Sequence, residues 1–249
     1  LVPFLDISLT TYLLAFCGAL FLGIAKTGMP GLALINVIIM AEIFAKESVG
    51  IVLPLLIICD LIVYPMYRRY SSWGKVWPLL VPCVVGVLIG YFVLKRIDDA
   101  TTKAVIGWTI LGMLILQILR SRGSAWLKKL PNSPVFMVGS SLVIGVSTTV
   151  ANAAGPAYSV WALVKELDKE DFLGIGARLF LFLNLFKIPF NWEIGIINAA
   201  TLKLDVALLP AIILGIAIGK PVVHRIPQKQ FEQLLLVLSA VGAAWLIFF

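Results

Sequence analysis

Long apolar runs punctuated by short polar connectors dominate the chain from end to end. Runs of about twenty residues, the length a hydrocarbon core of roughly 30 Å demands, occupy 9–25, 49–67, 76–94, 101–119, 134–150, 172–190, 204–222 and 231–249. Two further apolar segments, 31–45 and 156–165, are too short to cross unaided, and each directly follows a cluster of helix breakers. The first cluster is Gly23-Ile-Ala-Lys-Thr-Gly-Met-Pro-Gly31, and the second is Ser147-Thr-Thr-Val-Ala-Asn-Ala-Ala-Gly-Pro156. The pattern predicts an all-α polytopic membrane protein with eight to ten transmembrane or half-membrane helices, broken at two corresponding places.

Composition agrees. Of 249 residues, 61% are hydrophobic and 13% charged, and the mean hydropathy is +1.03. No soluble globule of this size hides so much apolar surface. The net charge of +7 belongs to connectors rather than to a basic soluble domain, so nucleic acid is not an expected partner. The connector at 120–131 carries Arg120, Arg122, Lys128 and Lys129 without an acid, which places it in the cytoplasm. Alternation from there puts Lys26, the Arg68–Lys75 group, Lys165 and Lys169 on the same side, with both chain ends outside. Glu193 and Asp205 flank a connector and are expected to be solvated.

The halves align as repeats. Gly86-x3-Gly90-x5-Arg96-Ile97 matches Gly215-x3-Gly219-x5-Arg225-Ile226, Lys75 and Pro82 match Lys203 and Pro210, and Asp60 and Pro65 match Asn184 and Pro189. An odd number of crossings per half inverts the second copy. Residues 9–119 then form one repeat, 120–133 a cytoplasmic linker and 134–249 the other, with the broken helices at their interface. Inverted repeats with discontinuous helices are the architecture of many secondary transporters. The alternative for the two glycine motifs is plain helix packing.

Broken helices expose backbone N–H groups and a partial positive charge, a setting for an anion. In the first break Lys26 adds a full charge, and Gly28 and Gly31 allow close backbone approach. In the second, Ser147, Thr148 and Asn152 supply neutral donors. Arg178 and Lys187 are costly at membrane depth unless paired or facing water, and Asn184 can share the inner face with Lys187. Each has a plainer alternative: Lys26 and Lys187 snorkelling to the interface, the Ser-Thr-Thr run back-bonding to its own helix, Arg178 held in a structural pair with Asp60. Asp60 is the one acid well inside an apolar run, hence the candidate coupling group, although its spacing from Arg68 also allows an interfacial position.

Cys17, Cys59 and Cys83 sit in apolar runs without metal-ligand spacing and are expected to be buried free thiols. His224 is the only histidine. No metal, no cofactor and no catalytic cluster is expected, and the chain does not read as an enzyme.

The breaks themselves resemble a known family. Gly23-x-x-Lys-Thr-Gly-Met-Pro-Gly31, together with Leu53-Pro-Leu-Leu-Ile-Ile-Cys-Asp-Leu61 and its following arginine pair, is similar to the first-repeat motifs of the sulfite exporter TauE/SafE family. Ser147–Pro156, Leu167-Asp-Lys169, Asn184-Leu-Phe-Lys-Ile-Pro189 and Arg225-Ile-Pro-Gln228 resemble its second-repeat motifs, so the likeness runs from about 15 to 245. One departure stands out: members often carry His and then Gly where this chain has Asn152 and Ala154, which leaves hydrogen bonding in place of a titratable ring. The resemblance implies about eight spans and a secondary transporter of a sulfur-containing anion, sulfite or an organosulfonate. The expected transport is across the plasma membrane by alternating access, in the direction of export. A channel-like or sensor protein for small anions is the alternative, and homodimerisation stays open.

Overall fold

The computed structural model describes residues 7–27, 32–121, 133–223 and 244. The expected long segments become α1 (Leu9–Lys26), α3 (Glu47–Tyr67), α4 (Trp73–Arg96), α5 (Asp99–Ser121), α6 (Pro134–Ala151), α8 (Lys169–Glu193) and α9 (Ala199–Val223), and the short ones become α2 (Ala33–Phe44) and α7 (Gly155–Val164). Among the described residues every regular element is helical, and six helices (α1, α3, α4, α6, α8 and α9) are long and apolar enough to cross a membrane. At 12 and 10 residues, α2 and α7 extend only about 18 and 15 Å at 1.5 Å per residue. The expected span at 231–249, His224 and most of the 120–133 linker lie outside the described residues.

Local chemistry sets the helix ends. The side chains of Ser8, Ser133 and Asp168 accept hydrogen bonds from the amides of Thr11, Phe136 and Asp171, capping α1, α6 and α8. Pro134 occupies the first turn of α6, where its missing N–H costs nothing. The same helix stops at Asn152, whose φ of 52° puts it in the left-handed region that Asn tolerates better than most residues.

Packing crosses the two halves of the sequence. One buried cluster joins α1, α2 and α3 to α9, through Ala19, Met40, Leu55 and Leu208 among others. A second joins α6, α7 and α8 to α4, through Ile144, Trp161, Leu179 and Leu80. Each bundle therefore takes three helices from one half and its fourth from the other. Gly23 of α1 meets Gly215 of α9, and Gly86 of α4 meets Gly145 of α6, in backbone-to-backbone approaches that leave no room for a side chain. Further along the same pairs, Thr27 lies against Gly219 and Thr149 against Gly90, so both pairs run parallel. Between the bundles α3 and α8 run antiparallel, with Gly50 against Ile196 at one end and Gly174 against Tyr70 and Ser71 at the other.

These contacts fix an expected result. A Cβ at Gly23 or Gly86 would stand 2.5 Å from the Ile212 or Leu142 carbonyl oxygen, and backbone cannot step aside as a side chain can. Gly23→Ala and Gly86→Ala should each cost about 1–3 kcal/mol, the usual range for overpacking, read as a drop in detergent melting temperature. Gly112→Ala, with open space around it, is the matched control and should leave that temperature unchanged or slightly raised, since Ala is the better helix former.

The outer faces suit lipid. On α4, Trp77, Val81, Val85, Ile89 and Phe92 form an exposed stripe at helical spacing, and hydrocarbon rather than water is the solvent that accepts it. Two expectations are corrected here. Cys17 is exposed on the surface of α1, whereas Cys59 and Cys83 are buried. Asp205 is not solvated: it is 3% exposed, with both carboxylate oxygens unpartnered among the described residues. Its early place in α9 did not reveal that this helix packs on α1 and α3 through the neighbouring Leu204 and Leu208. Glu193 does keep water contact and is paired with Lys95 at 2.6 Å.

Candidate functional site

The last residue of α1 points its charge into the protein. Lys26 Nζ forms an ion pair with Asp60 Oδ1 of α3 and lies 5.5 Å from the centre of the Phe180 ring on α8. Asn184 Nδ2, also on α8, donates to the other carboxylate oxygen of Asp60 at 2.7 Å. Asp60 and Asn184 are the residues that align between the halves, and here they touch where α3 and α8 cross. With Asp60 4% and Asn184 1% exposed, neither lies at a solvated boundary. Lys26 is thus held in an ion pair rather than free in a loop, and Asp60 is enclosed by protein.

The second break is held by another lysine. Lys187 Nζ donates to the Thr148 carbonyl (2.8 Å), the Thr148 hydroxyl (3.2 Å) and Asn152 Oδ1 (2.9 Å). At 1% exposed it does not snorkel. Its three protons are spent on neutral oxygens, and among the described residues no carboxylate pairs with it. Asn152 Nδ2 donates in turn to the Val49 carbonyl at 3.1 Å, tying the tip of α6 to α3. The Lys26–Asp60 pair thus faces the interior, with Lys187 packed behind the tip of α6.

Between them lies a cavity of about 120 Å³, room for several water molecules by the roughly 10–15 Å³ that one requires. Its floor is polar, formed by Lys26, Asp60, Asn184, Thr148 and Asn152. From there it follows α8 along the stripe Phe180, Ala177, Gly176, Leu173 and Phe172, and α3 to Val63 and Tyr67. Tyr158 of α7 completes the wall and donates its hydroxyl proton to the Phe172 carbonyl at 2.6 Å. Both broken segments therefore contribute to one chamber.

Not every expected residue arrives there. Arg178 is outside the cavity lining: one guanidinium nitrogen donates to the Gly174 carbonyl at 3.2 Å, another to the Arg68 carbonyl, and the group lies 6.0 Å from each of the Tyr64 and Trp73 rings. It ties α8 to the end of α3, and its alternative pairing with Asp60 is not formed. Ser147 back-bonds to the Val143 carbonyl at 2.6 Å, and Thr149 to Gly145 at 2.9 Å, which leaves Thr148 as the hydroxyl of that run facing the cavity. Gly28 and Gly31 fall outside the described residues. Phe172, Phe180 and Tyr158 were not anticipated. Their signal was available in the spacing of Phe172, Gly176, Phe180 and Asn184, four residues apart on one helical face. Among the described residues no group of three His, Cys, Asp or Glu side chains converges as a metal site.

A family model described as Sulfite exporter TauE/SafE matches residues 13–246. No curated protein and no solved structure matches the chain. With nearly its whole length covered, the chain belongs to the sulfite exporter TauE/SafE family of membrane transporters and is a multi-pass membrane protein.

Proposed function

We propose that this member of the TauE/SafE family is a secondary transporter that carries sulfite or an organosulfonate out of the cell by alternating access between two inverted repeats. The observation that carries the reading is the buried Lys26–Asp60–Asn184 chain on the floor of a chamber lined by both broken segments. Desolvated ammonium groups are strong partners for oxyanions, since charge-assisted bonds are about twice as strong as neutral ones.

The repeat reading is supported by the equivalence of contacts. Gly23 on Gly215 and Gly145 on Gly86 correspond under the sequence alignment, as do Thr27 on Gly219 and Thr149 on Gly90. Contact between Asp60 and Asn184, which occupy matching positions, is what a pseudo-two-fold axis between α3 and α8 requires. The cavity fits the inward-open state of such a cycle, the state from which an exporter would load its substrate. It runs toward the end of α3 and the start of α8, beside Arg68, Arg69 and Lys75, the side the basic residues assign to the cytoplasm. Asp60 is the candidate coupling group in this reading: when Lys26 turns to an incoming anion, the carboxylate is released from its ion pair.

Counterflow tests the carrier directly. Proteoliposomes preloaded with unlabelled sulfite or sulfonate should take up the labelled anion several-fold faster than empty ones, because a carrier returns loaded faster than it returns empty. Flux without trans-stimulation would make the protein a channel instead.

A further inference from the structure

We infer that the occupant of this cavity is an organic monoanion with an uncharged, apolar tail, the anionic head on the floor and the tail lying toward the mouth. The inference rests on the transport reading above and narrows its substrate. Its first support is the segregation of polarity along the chamber. Lys26, Asp60, Asn184, Thr148 and Asn152 are gathered at one end, and the wall from Phe180 to Phe172 presents rings and small apolar groups. Twelve residues of α8 separate Phe172 from Asn184, about 18 Å of helix, so the apolar stretch is longer than an inorganic oxyanion. The hydroxyl of Tyr158 is engaged by the Phe172 carbonyl, and what Tyr158 offers the cavity is its ring.

Charge gives the second support. Among the described residues Lys26 is the one ammonium in the cavity lining, since Lys187 spends its protons on Thr148 and Asn152 behind it, and a single cation on the floor matches one negative charge on the ligand. A divalent anion would carry an uncompensated charge into a desolvated site, a costly outcome. Gly176 contributes a third feature: with no side chain, it admits the Tyr158 ring against α8 between Phe172 and Phe180, so the wall there is an aromatic face.

The test is a chain-length series on the purified full-length protein, with apparent affinity read from ligand-dependent thermal stabilisation. The probes are methane-, ethane-, propane- and butanesulfonate, with sulfite and sulfate alongside. Affinity should rise up to about fourfold per methylene, the equivalent of roughly 0.8 kcal/mol per buried CH₂, and propanesulfonate should bind at least about tenfold tighter than sulfate. Phe172→Ala removes a wall ring while keeping the carbonyl that Tyr158 uses, and it should flatten the slope; if that variant fails to fold, the series on the unmodified protein decides. A flat series, or tightest binding of sulfate or sulfite, overturns the inference and leaves the anion-transport reading standing. Absence of both binding and flux for every probe overturns the two together.

Discussion

Replacing Lys26 with methionine is expected to weaken anion binding by about 10–100-fold, from the roughly 1.5–3 kcal/mol of a charge-assisted hydrogen bond, and to destabilise the protein at the same time. The second effect follows from Asp60, which is 4% exposed and would be left as a buried carboxylate with Asn184 as its remaining partner. Breaking a buried pair from one side costs about 3–5 kcal/mol. Removing both charges is a different matter, because neutral side chains of similar volume carry no desolvation penalty. The double variant Lys26→Met/Asp60→Asn should therefore recover thermal stability to within about 1–2 kcal/mol of the unmodified protein while transport stays lost. Asp60→Asn alone separates the roles again: it keeps the ammonium, so binding survives, but accumulation driven by a pH gradient should vanish. Flux and melting temperature measured on the four proteins give a complete cycle. Unimpaired transport by Lys26→Met would remove Lys26 from the site, and a double variant as unstable as the single would remove the pair from the fold.

The sequence was informative where physics is local. Hydrocarbon thickness sets span length, so helices such as α4 and α6 fall where the apolar runs predicted them. Glycine and proline mark the two interruptions for equally local reasons: α6 stops at Asn152 and α7 begins at Gly155, inside the predicted break. Partner choice was another matter. Lys26 and Asp60 are 34 residues apart, and hydropathy says nothing about which of several polar side chains an ammonium will meet. The arginine at 178 illustrates the difficulty. Its depth in an apolar run marked it as a ligand for an anion, yet the end of α3 leaves carbonyls unpaired, and the guanidinium serves them. Asp205 erred in the opposite sense, since proximity to a connector suggested water while helix packing withheld it.

The exchange of α4 and α9 between bundles bears on how such a molecule moves. The glycine approaches lock α9 to α1 and α4 to α6 through backbone, whereas the bundles meet through α3 against α8, the polar floor, and an apolar cluster that joins Leu34 and Val49 to Leu94, Ala151 and Ile106 of α5. Tightly packed interiors move as units and slip at their less dense seams. The chamber lies within the contact between bundles, so in the proposed cycle an anion that touches both would act where their relative position is set.

That reasoning makes Lys187 the residue with the second-largest expected effect. It is fully engaged by the tip of α6, and Asn152 on that tip reaches across to Val49 of the other bundle. Lys187→Met keeps much of the volume in a flexible, unbranched side chain but removes every donor. Asn152 Oδ1 then loses its donor outright, while the Thr148 carbonyl retains the Asn152 amide at 3.2 Å. An orphaned buried acceptor costs about 1–3 kcal/mol, so the variant should lose that much stability. Transport should fall further than stability does, because the tip that closes the chamber is no longer held. Asn152→Ala attacks the same link from the other end and also gives up a residue suited to a φ of 52°. If the two side chains act as one latch, Lys187→Met/Asn152→Ala should cost little more than the worse single variant, with a coupling energy of about 0.5–3 kcal/mol. Simple additivity in thermal stability would mean that Lys187 and Asn152 hold the tip independently, and the latch would have to be sought elsewhere along α6.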